Sequence, residues 1–359
     1  MLSLKHILFT LSSFILFTIF SMSPAFADSN VTCNQYTVPV TLSSTDPTVY
    51  HVVGFLCSEG SLQGKTVQFL LHGLTYDHNY WNFPLSPEKY SYVRKATDEG
   101  YATFNIDRLG DGLSDRPLAT SVTIESGAFV AHQIVQDLRA GNIGGTSFAK
   151  VIEVGHSGGS STIVFEASQY HDVDGVILSG FMHAFNFPGI AEISTTIYPA
   201  QLDPKFANSN IPDGYFTTIP NTRASDFYNT ADADPNVIAL DETLKQTVTS
   251  GELGTISDAA VNTSLTQQIH VPVLIVNGQF DKLFCNDSLG LSCDSNQAIL
   301  SRESGNFTPQ ACLEASVLTN SGHDVNLHLN AHSWFETAND WANRRVGNSV
   351  NTPPTQPCQ

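Results

Sequence analysis

Three residues of this chain stand where covalent catalysis could be built. Ser157 lies between Gly155 and Gly159 in the run Val-Ile-Glu-Val-Gly-His-Ser-Gly-Gly, residues 151–159. A serine hydroxyl is a weak nucleophile until a base within hydrogen-bond reach takes its proton and a third group orients that base. Downstream, Gly278-Gln279-Phe280-Asp281 supplies an acid and Gly322-His323 an imidazole. In that combination His323 would be general base and acid, with Asp281 fixing its tautomer and stabilising the imidazolium. Asp287 and Asp294 are rival acids, but they lie farther from the end of the preceding strand. His328 and His332 are rival bases on the following helix and lack the loop position. His156, beside the serine, reads as a packing or pocket residue.

The elements that must position these groups follow from the apolar runs. Val151 to Val154 stops abruptly at the glycine-flanked serine and gives way to a small-residue helical pattern, which reads as strand, sharp turn, helix; Gly155 and Gly159 tolerate the crowding of that turn. Strands are expected at Thr66–Leu71, Tyr101–Ile106, Val173–Ser179, Val271–Asn277 and Cys312–Leu318, and alternating runs at Tyr36–Leu42 and Tyr50–Leu56 suggest a hairpin. Helices are expected over Pro87–Glu99, stopped by Gly100, and over Ile124–Ala140, stopped by Gly141. His132, on the second helix, is set aside as an ordinary surface or core residue. Glu153 occupies a strand position that is normally apolar, and a bond to a neighbouring loop is expected to satisfy it.

The order Ser157, Asp281, His323, with His72-Gly73-Leu74 after an earlier strand and Asp107-Arg108-Leu109-Gly110-Asp111-Gly112-Leu113-Ser114 after the next, resembles the α/β-hydrolase superfamily. The resemblance is to its serine-nucleophile, esterase- and lipase-like, capped members and spans nearly the whole mature chain. It implies an α/β fold, with a mostly parallel central sheet, helices on both faces and a mainly helical inserted cap. The core would comprise residues 28–181 and 271–359, and the cap residues 182–270. It also implies that the backbone amides of Leu74 and Gly158 form an oxyanion hole, Gly73 letting the chain bend close enough. The Asp107–Ser114 loop reads as structural, its acids and Arg108 pairing to order it. Aromatics of the insertion, among them Phe181, Phe185, Phe187, Tyr215, Phe216, Phe227 and Tyr228, suit an apolar substrate wall. A serine at the turn argues against the epoxide hydrolases and haloalkane dehalogenases of the superfamily, which use Asp there. Esterases, lipases, lactonases, carbon–carbon bond hydrolases and proline-releasing aminopeptidases stay open, as does a non-catalytic binding module on the same fold. An aminopeptidase would need acids for the substrate amine, for which Glu192, Asp203, Asp213, Asp226 and Asp232 are candidates. An ester or lactone of modest size is the favoured substrate.

Composition narrows the setting. At 359 residues, 41% apolar and 14% charged, the chain has an ordinary globular balance and can bury a large core. A net charge of −18 with only 16 Lys and Arg excludes a nucleic-acid partner, because phosphate binding needs clustered cations. Lys5, the apolar run Ile7–Phe20 and Ala25-Phe26-Ala27 predict a signal peptide over residues 1–27, cleaved after Ala27, leaving a secreted protein without a membrane span. In that compartment the six cysteines read as disulfides. Cys33 and Cys57 bracket the expected hairpin and should pair; Cys285, Cys293, Cys312 and Cys358 permit three connectivities. Asn30, Asn262, Asn286 and Asn306 open N-x-[ST] sequons and are glycan candidates. Neither a metal nor an organic cofactor is implied, since no Cys-x-x-Cys spacing suggests zinc and no phosphate-cradling glycine loop follows the first strand. Oligomeric state is not legible.

Overall fold

The computed structural model describes residues 30–358; the expected leader, residues 1–27, lies outside them. A sheet of order β1-β2-β4-β3-β5-β6-β10-β11 organises the chain. Its strands are β1 (Val31–Val40), β2 (Tyr50–Glu59), β3 (Val67–Leu71), β4 (Ala102–Ile106), β5 (Val151–His156), β6 (Gly175–Ser179), β10 (Val273–Gly278) and β11 (Glu314–Leu318). β1 and β2 form the expected antiparallel hairpin and β2 runs antiparallel to β4; from β4 to β11 all pairings are parallel. The inner strands β3, β4, β5, β6 and β10 are buried at every residue. This is why they read as near-continuous apolar runs, interrupted at Gln68, Thr103, Asn105 and Glu153, rather than alternating ones: both faces are covered.

Helices supply the cover. α1 (Ile124–Ala140) starts with a reciprocal cap between Thr123 and Ser126 and ends at Gly141, whose φ of 80° only glycine adopts freely. It packs with α2 (Gly158–Tyr170) over Val151, Val176 and Ile275. On the opposite face Trp334, Phe335 and Trp341 of α5 (Ala331–Arg345) cover Ile152, Val154 and Leu274. The expected helix over 87–99 is broken at Ser91, which leaves the helical conformation, accepts the Arg94 N–H at 3.0 Å and donates to Asn82 at 2.8 Å. A side chain that bonds the backbone locally competes with the helix. Disulfides join Cys33 to Cys57 across β1 and β2, Cys285 to Cys293, and Cys312 to Cys358.

Between β6 and β10 the parallel rhythm is interrupted. α3 (Phe187–Ser194) is followed by a three-stranded antiparallel sheet of β7 (Ile197–Pro199), β8 (Tyr215–Thr218) and β9 (Val248–Thr249), with α4 (Pro235–Leu244) inserted before β9. Leu240, Leu244 and Val248 have the spacing of one helix face and predict a single helix, yet α4 stops at Leu244, and Val248 pairs with Phe216. Strands of two to four residues carry too little alternation to be seen in the sequence. Farther on, Ala259, Ala260 and Ile269 join the core cluster beneath α2, so the end of the inserted stretch serves the main domain.

Candidate active site

Ser157 occupies the turn between β5 and α2 with φ 52° and ψ −115°. Such a backbone costs a non-glycine residue about 1–3 kcal/mol and is held only by its surroundings. Those surroundings leave no room for side chains at the flanking positions. A Cβ on Gly155 would lie 2.6 Å from the Ser160 nitrogen, and one on Gly159 would lie 2.2 Å from the Leu71 carbonyl oxygen. The Ser157 N–H donates to the Ser179 carbonyl at 2.8 Å, tying the turn to β6. Gly158 opens α2, so its N–H stands outside the helical ladder. The Leu74 side chain closes on Gly158, where a Cβ would meet Leu74 Cδ2 at 2.7 Å, and a Cβ on Gly73 would lie 3.2 Å from that of Ser157. The loops after β3 and β5 thus meet at the serine.

Asp281 follows β10 and is fully buried. Its Oδ2 lies 2.9 Å from His323 Nδ1, its Oδ1 accepts the Leu283 N–H at 2.9 Å, and Asn277 Nδ2 donates to Oδ2 at 3.3 Å. The two loops touch through their backbones: a Cβ on Gly278 would be 1.9 Å from the Gly322 carbonyl oxygen. Burial depresses the His323 pKa, but the adjacent carboxylate outweighs it and holds the imidazole above the ordinary 6.5. The rivals go elsewhere. Asp287 and Asp294 are exposed, and His332 sits at the surface beside Glu336. His328 Nε2 accepts the amides of Asn229 and Gly322 at 3.1 and 2.9 Å, shaping the loop that carries His323.

Ser157 and His323 open onto one cavity of about 260 Å³, walled by Leu74, Ile190, Ile193, Ile197, Leu253 and Ile256. Of the insertion aromatics named above, Phe227 alone reaches it, and the wall is mainly aliphatic. None of Glu192, Asp203, Asp213, Asp226 or Asp232 lines it. Asp203 instead pairs with Lys245 at 2.7 Å and Asp226 accepts from Thr196 at 2.8 Å. His156 is buried beneath the site, stacked on Tyr80 at 4.4 Å, and burial pushes its pKa well below the usual value.

Sequence reasoning missed the network beside this cavity. Arg223, fully buried, grips Asp241 with two bonds of 2.7 and 3.1 Å, donates to Thr75 Oγ1 at 3.0 Å and lies 4.2 Å above the Tyr76 ring. The Tyr76 hydroxyl donates to Asp324, next to His323, and the Tyr228 hydroxyl donates to Asp241 at 2.9 Å. Arg223 is the sole arginine between residues 182 and 270, the one signal that could have singled it out. The Asp107–Ser114 loop is a scaffold. Asp107 accepts the His78 and Leu113 amides at 2.8 Å, and Arg108 pairs with Glu252 while donating to the His72 carbonyl at 3.2 Å. Glu153 corrects the expectation of a loop partner: it faces Glu166 of α2, and burial pushes its pKa to about 8. Among the described residues two groups could hold a metal, Asp77-His78-Asp107 and His132-Glu166-Asp172; neither lines the cavity.

Known proteins can be set beside this geometry. The sequence model of the Alpha/beta hydrolase family matches residues 69–335. No curated protein sequence matches the chain. Among solved structures, a thermophilic esterase from Thermogutta terrifontis superposes with a TM-score of 0.56 at 16% identity, over 85% of this chain and 97% of that one. A monoglyceride lipase from Saccharomyces cerevisiae gives 0.57 at 14% identity, over 85% and 95%. E-2-(acetamidomethylene)succinate hydrolase gives 0.55 at 16% identity, over 86% and 100%. At such identities the structures share the fold with this chain, whereas the family match extends over most of its sequence and takes in Ser157, Asp281 and His323. The chain belongs to the alpha/beta hydrolase family.

Proposed function

We propose that this chain is a secreted serine hydrolase that cleaves an uncharged carboxylic ester or lactone of modest size. The observation that carries the reading is the strained Ser157 turn sharing a small, aliphatic cavity with the buried His323–Asp281 pair. His323 takes the proton of Ser157 Oγ as the serine attacks the carbonyl carbon, and the developing oxyanion is received by the Leu74 and Gly158 amides. The collapsing intermediate expels the alcohol, which takes its proton from His323, and water then releases the acid from the acyl-enzyme by the same steps. An aliphatic wall without a carboxylate favours neutral acyl groups, and it offers nothing to hold the amine of a peptide N-terminus. The leader composition and the pairing of all six cysteines support secretion, which predicts a mature protein beginning at Asp28. Asn30 and Asn262 are exposed and suit glycans; the Asn286 amide already donates to Asn186 at 3.0 Å.

The test is hydrolysis of p-nitrophenyl esters of graded acyl length, with Ser157→Ala alongside and fluorophosphonate labelling of both proteins. Activity and labelling lost together in the variant support the assignment. Labelling without ester hydrolysis would redirect the substrate search to carbon–carbon bonds or peptides. Absence of both would leave a binding module.

A further inference from the structure

The sheet face covered by α1 and α2 carries a group of titratable side chains that hydrolysis does not use. Glu153 on β5 and Glu166 on α2 are fully buried; Glu166 stands between Glu153 and Asp172, and outside this run of three carboxyl groups none of the four glutamate oxygens has a hydrogen-bond partner. Asp172, two residues beyond α2, leaves its Oδ1 unpartnered, while its Oδ2 lies 2.7 Å from His132 Nδ1 of α1. Gln136 also reaches Asp172 Oδ2, at 2.5 Å. One ligand atom each from His132, Glu166 and Asp172 fall within 4.8 Å of one another. Arg139, the guanidinium at this corner, spends its donors on the carbonyls of Asp172 and Ala149 and on Asp174, leaving these carboxylates uncompensated. Buried carboxylates are retained when they are paired or bind a metal.

We infer that His132, Glu166 and Asp172 form a binding site for a divalent first-row cation, Zn²⁺ or Mn²⁺. One imidazole and two carboxylates are a donor set for such ions, and the imidazole disfavours Ca²⁺ and Mg²⁺, which take oxygen. The ligands stand on rigid elements, and the His132 ring is held by stacking on Tyr170 at 4.0 Å. Glu153, behind Glu166, takes the place of the outer partner that orients a metal-bound carboxylate. The side chains of His132 and Asp172 are 25% and 13% exposed, so an ion can enter from solvent and reach buried Glu166. Glu166 lies eight residues along α2 from Gly158, roughly 12 Å from the serine turn. The ion would therefore clamp α1 to α2 and take no part in bond cleavage.

The experiment is calorimetric titration of chelator-treated full-length protein with ZnCl₂, MnCl₂ and CaCl₂, with thermal melts in parallel. The expected result is saturable binding of one Zn²⁺ or Mn²⁺ per chain, a higher melting temperature on binding, and no response to Ca²⁺. Glu166→Gln and Asp172→Asn should each weaken binding at least tenfold, and Glu153→Gln about 10–100-fold. Asp172→Asn lies nearer the surface and keeps the test valid if a buried variant fails to fold. No saturable binding in the wild type, a preference for Ca²⁺, or undiminished binding in the folded variants would overturn the inference. Esterase activity is not read, so the outcome is independent of the hydrolytic assignment.

Discussion

Replacing Asp281 with asparagine tests the proposed machinery at its least visible member. Asp281 has one neighbour on Oδ1, the Leu283 N–H at 2.9 Å, and two on Oδ2, His323 Nδ1 at 2.9 Å and the more distant Asn277 amide at 3.3 Å. An asparagine keeps its carbonyl oxygen for the Leu283 amide, which can only donate, and so turns its NH₂ towards His323. Facing a donor, Nδ1 must become the acceptor and the ring proton moves to Nε2, the nitrogen that has to accept the serine proton. The base is then present in the wrong tautomer, and the imidazolium loses its counter-charge. Loss of the correct tautomer in a serine triad costs about 10⁴ in kcat, or about 5.4 kcal/mol at about 1.36 kcal/mol per tenfold. KM should change little, because Asp281 does not line the cavity. The assay is steady-state hydrolysis of the best p-nitrophenyl ester from pH 5 to 10 by wild type and Asp281→Asn. A variant within tenfold of wild type at neutral pH would refute the reasoning and shift suspicion to Asp324.

The wild-type pH profile should show an acid limb with an apparent pKa above 6.5, since activity needs neutral His323 and Asp281 stabilises its protonated form. In Asp281→Asn the limb should move down, leaving burial to dominate; an unmoved limb in kcat/KM would show that another group titrates. Arg223→Met should destabilise the fold by about 3–5 kcal/mol in denaturant unfolding, because Asp241 is left buried without its cation; Arg223→Met with Asp241→Leu should recover part of that loss. Gly159→Ala should abolish folding or ester hydrolysis, because its Cβ would sit 2.2 Å from the Leu71 carbonyl oxygen; a soluble variant of wild-type activity and melting temperature would contradict the rigidity assigned to the turn.

Legibility in the sequence followed the range of each interaction. The buried strands were readable because both faces are covered, so apolar runs such as Val273–Val276 survive as contiguous text. The glycine positions were readable for a steric reason: Gly155 and Gly159 each meet backbone where a Cβ would stand. The small sheet β7–β9 was not, because its residues are paired by tertiary placement rather than by their own alternation. Glu153 was noticed as anomalous, yet its partner lay thirteen positions away on α2, and nothing in the local run marks Glu166. The charged core of the insertion was hidden for the same reason, since Thr75 and Asp324 on two loops and Asp241 on α4 meet Arg223 and Tyr76.

That last network bears on how substrate reaches the serine. The inserted residues have the chain position of a lid, but part of this stretch is built into the catalytic loops. The Asp324 N–H donates to the Phe227 carbonyl at 3.1 Å and the Asn229 N–H to His328 at 3.1 Å; a Cβ on Gly322 would be 2.6 Å from the Phe227 carbonyl oxygen. Arg223 adds its bonds to Thr75, just after the Leu74 amide. Lifting residues 223–229 would therefore break backbone hydrogen bonds and expose a buried guanidinium while displacing the histidine itself. On the other side of the cavity α3 contributes Ile190 and Ile193, and its N-terminal end is also tied to the Asp281 loop: the Asn186 N–H donates to the Leu283 carbonyl at 2.8 Å, its side chain donates to the Lys282 carbonyl at 2.9 Å, and Lys282 pairs with Glu192 at the surface at 2.5 Å. Exposed ion pairs contribute about 0–1 kcal/mol, so the Lys282–Glu192 pair adds little to what buried Asn186 supplies, and this edge too is held by backbone hydrogen bonding. The insertion thus braces both loops of the proposed machinery, the His323 loop through residues 223–229 and the Asp281 loop through Asn186, while the aliphatic side chains of α3 that face the cavity can vary in size without disturbing either.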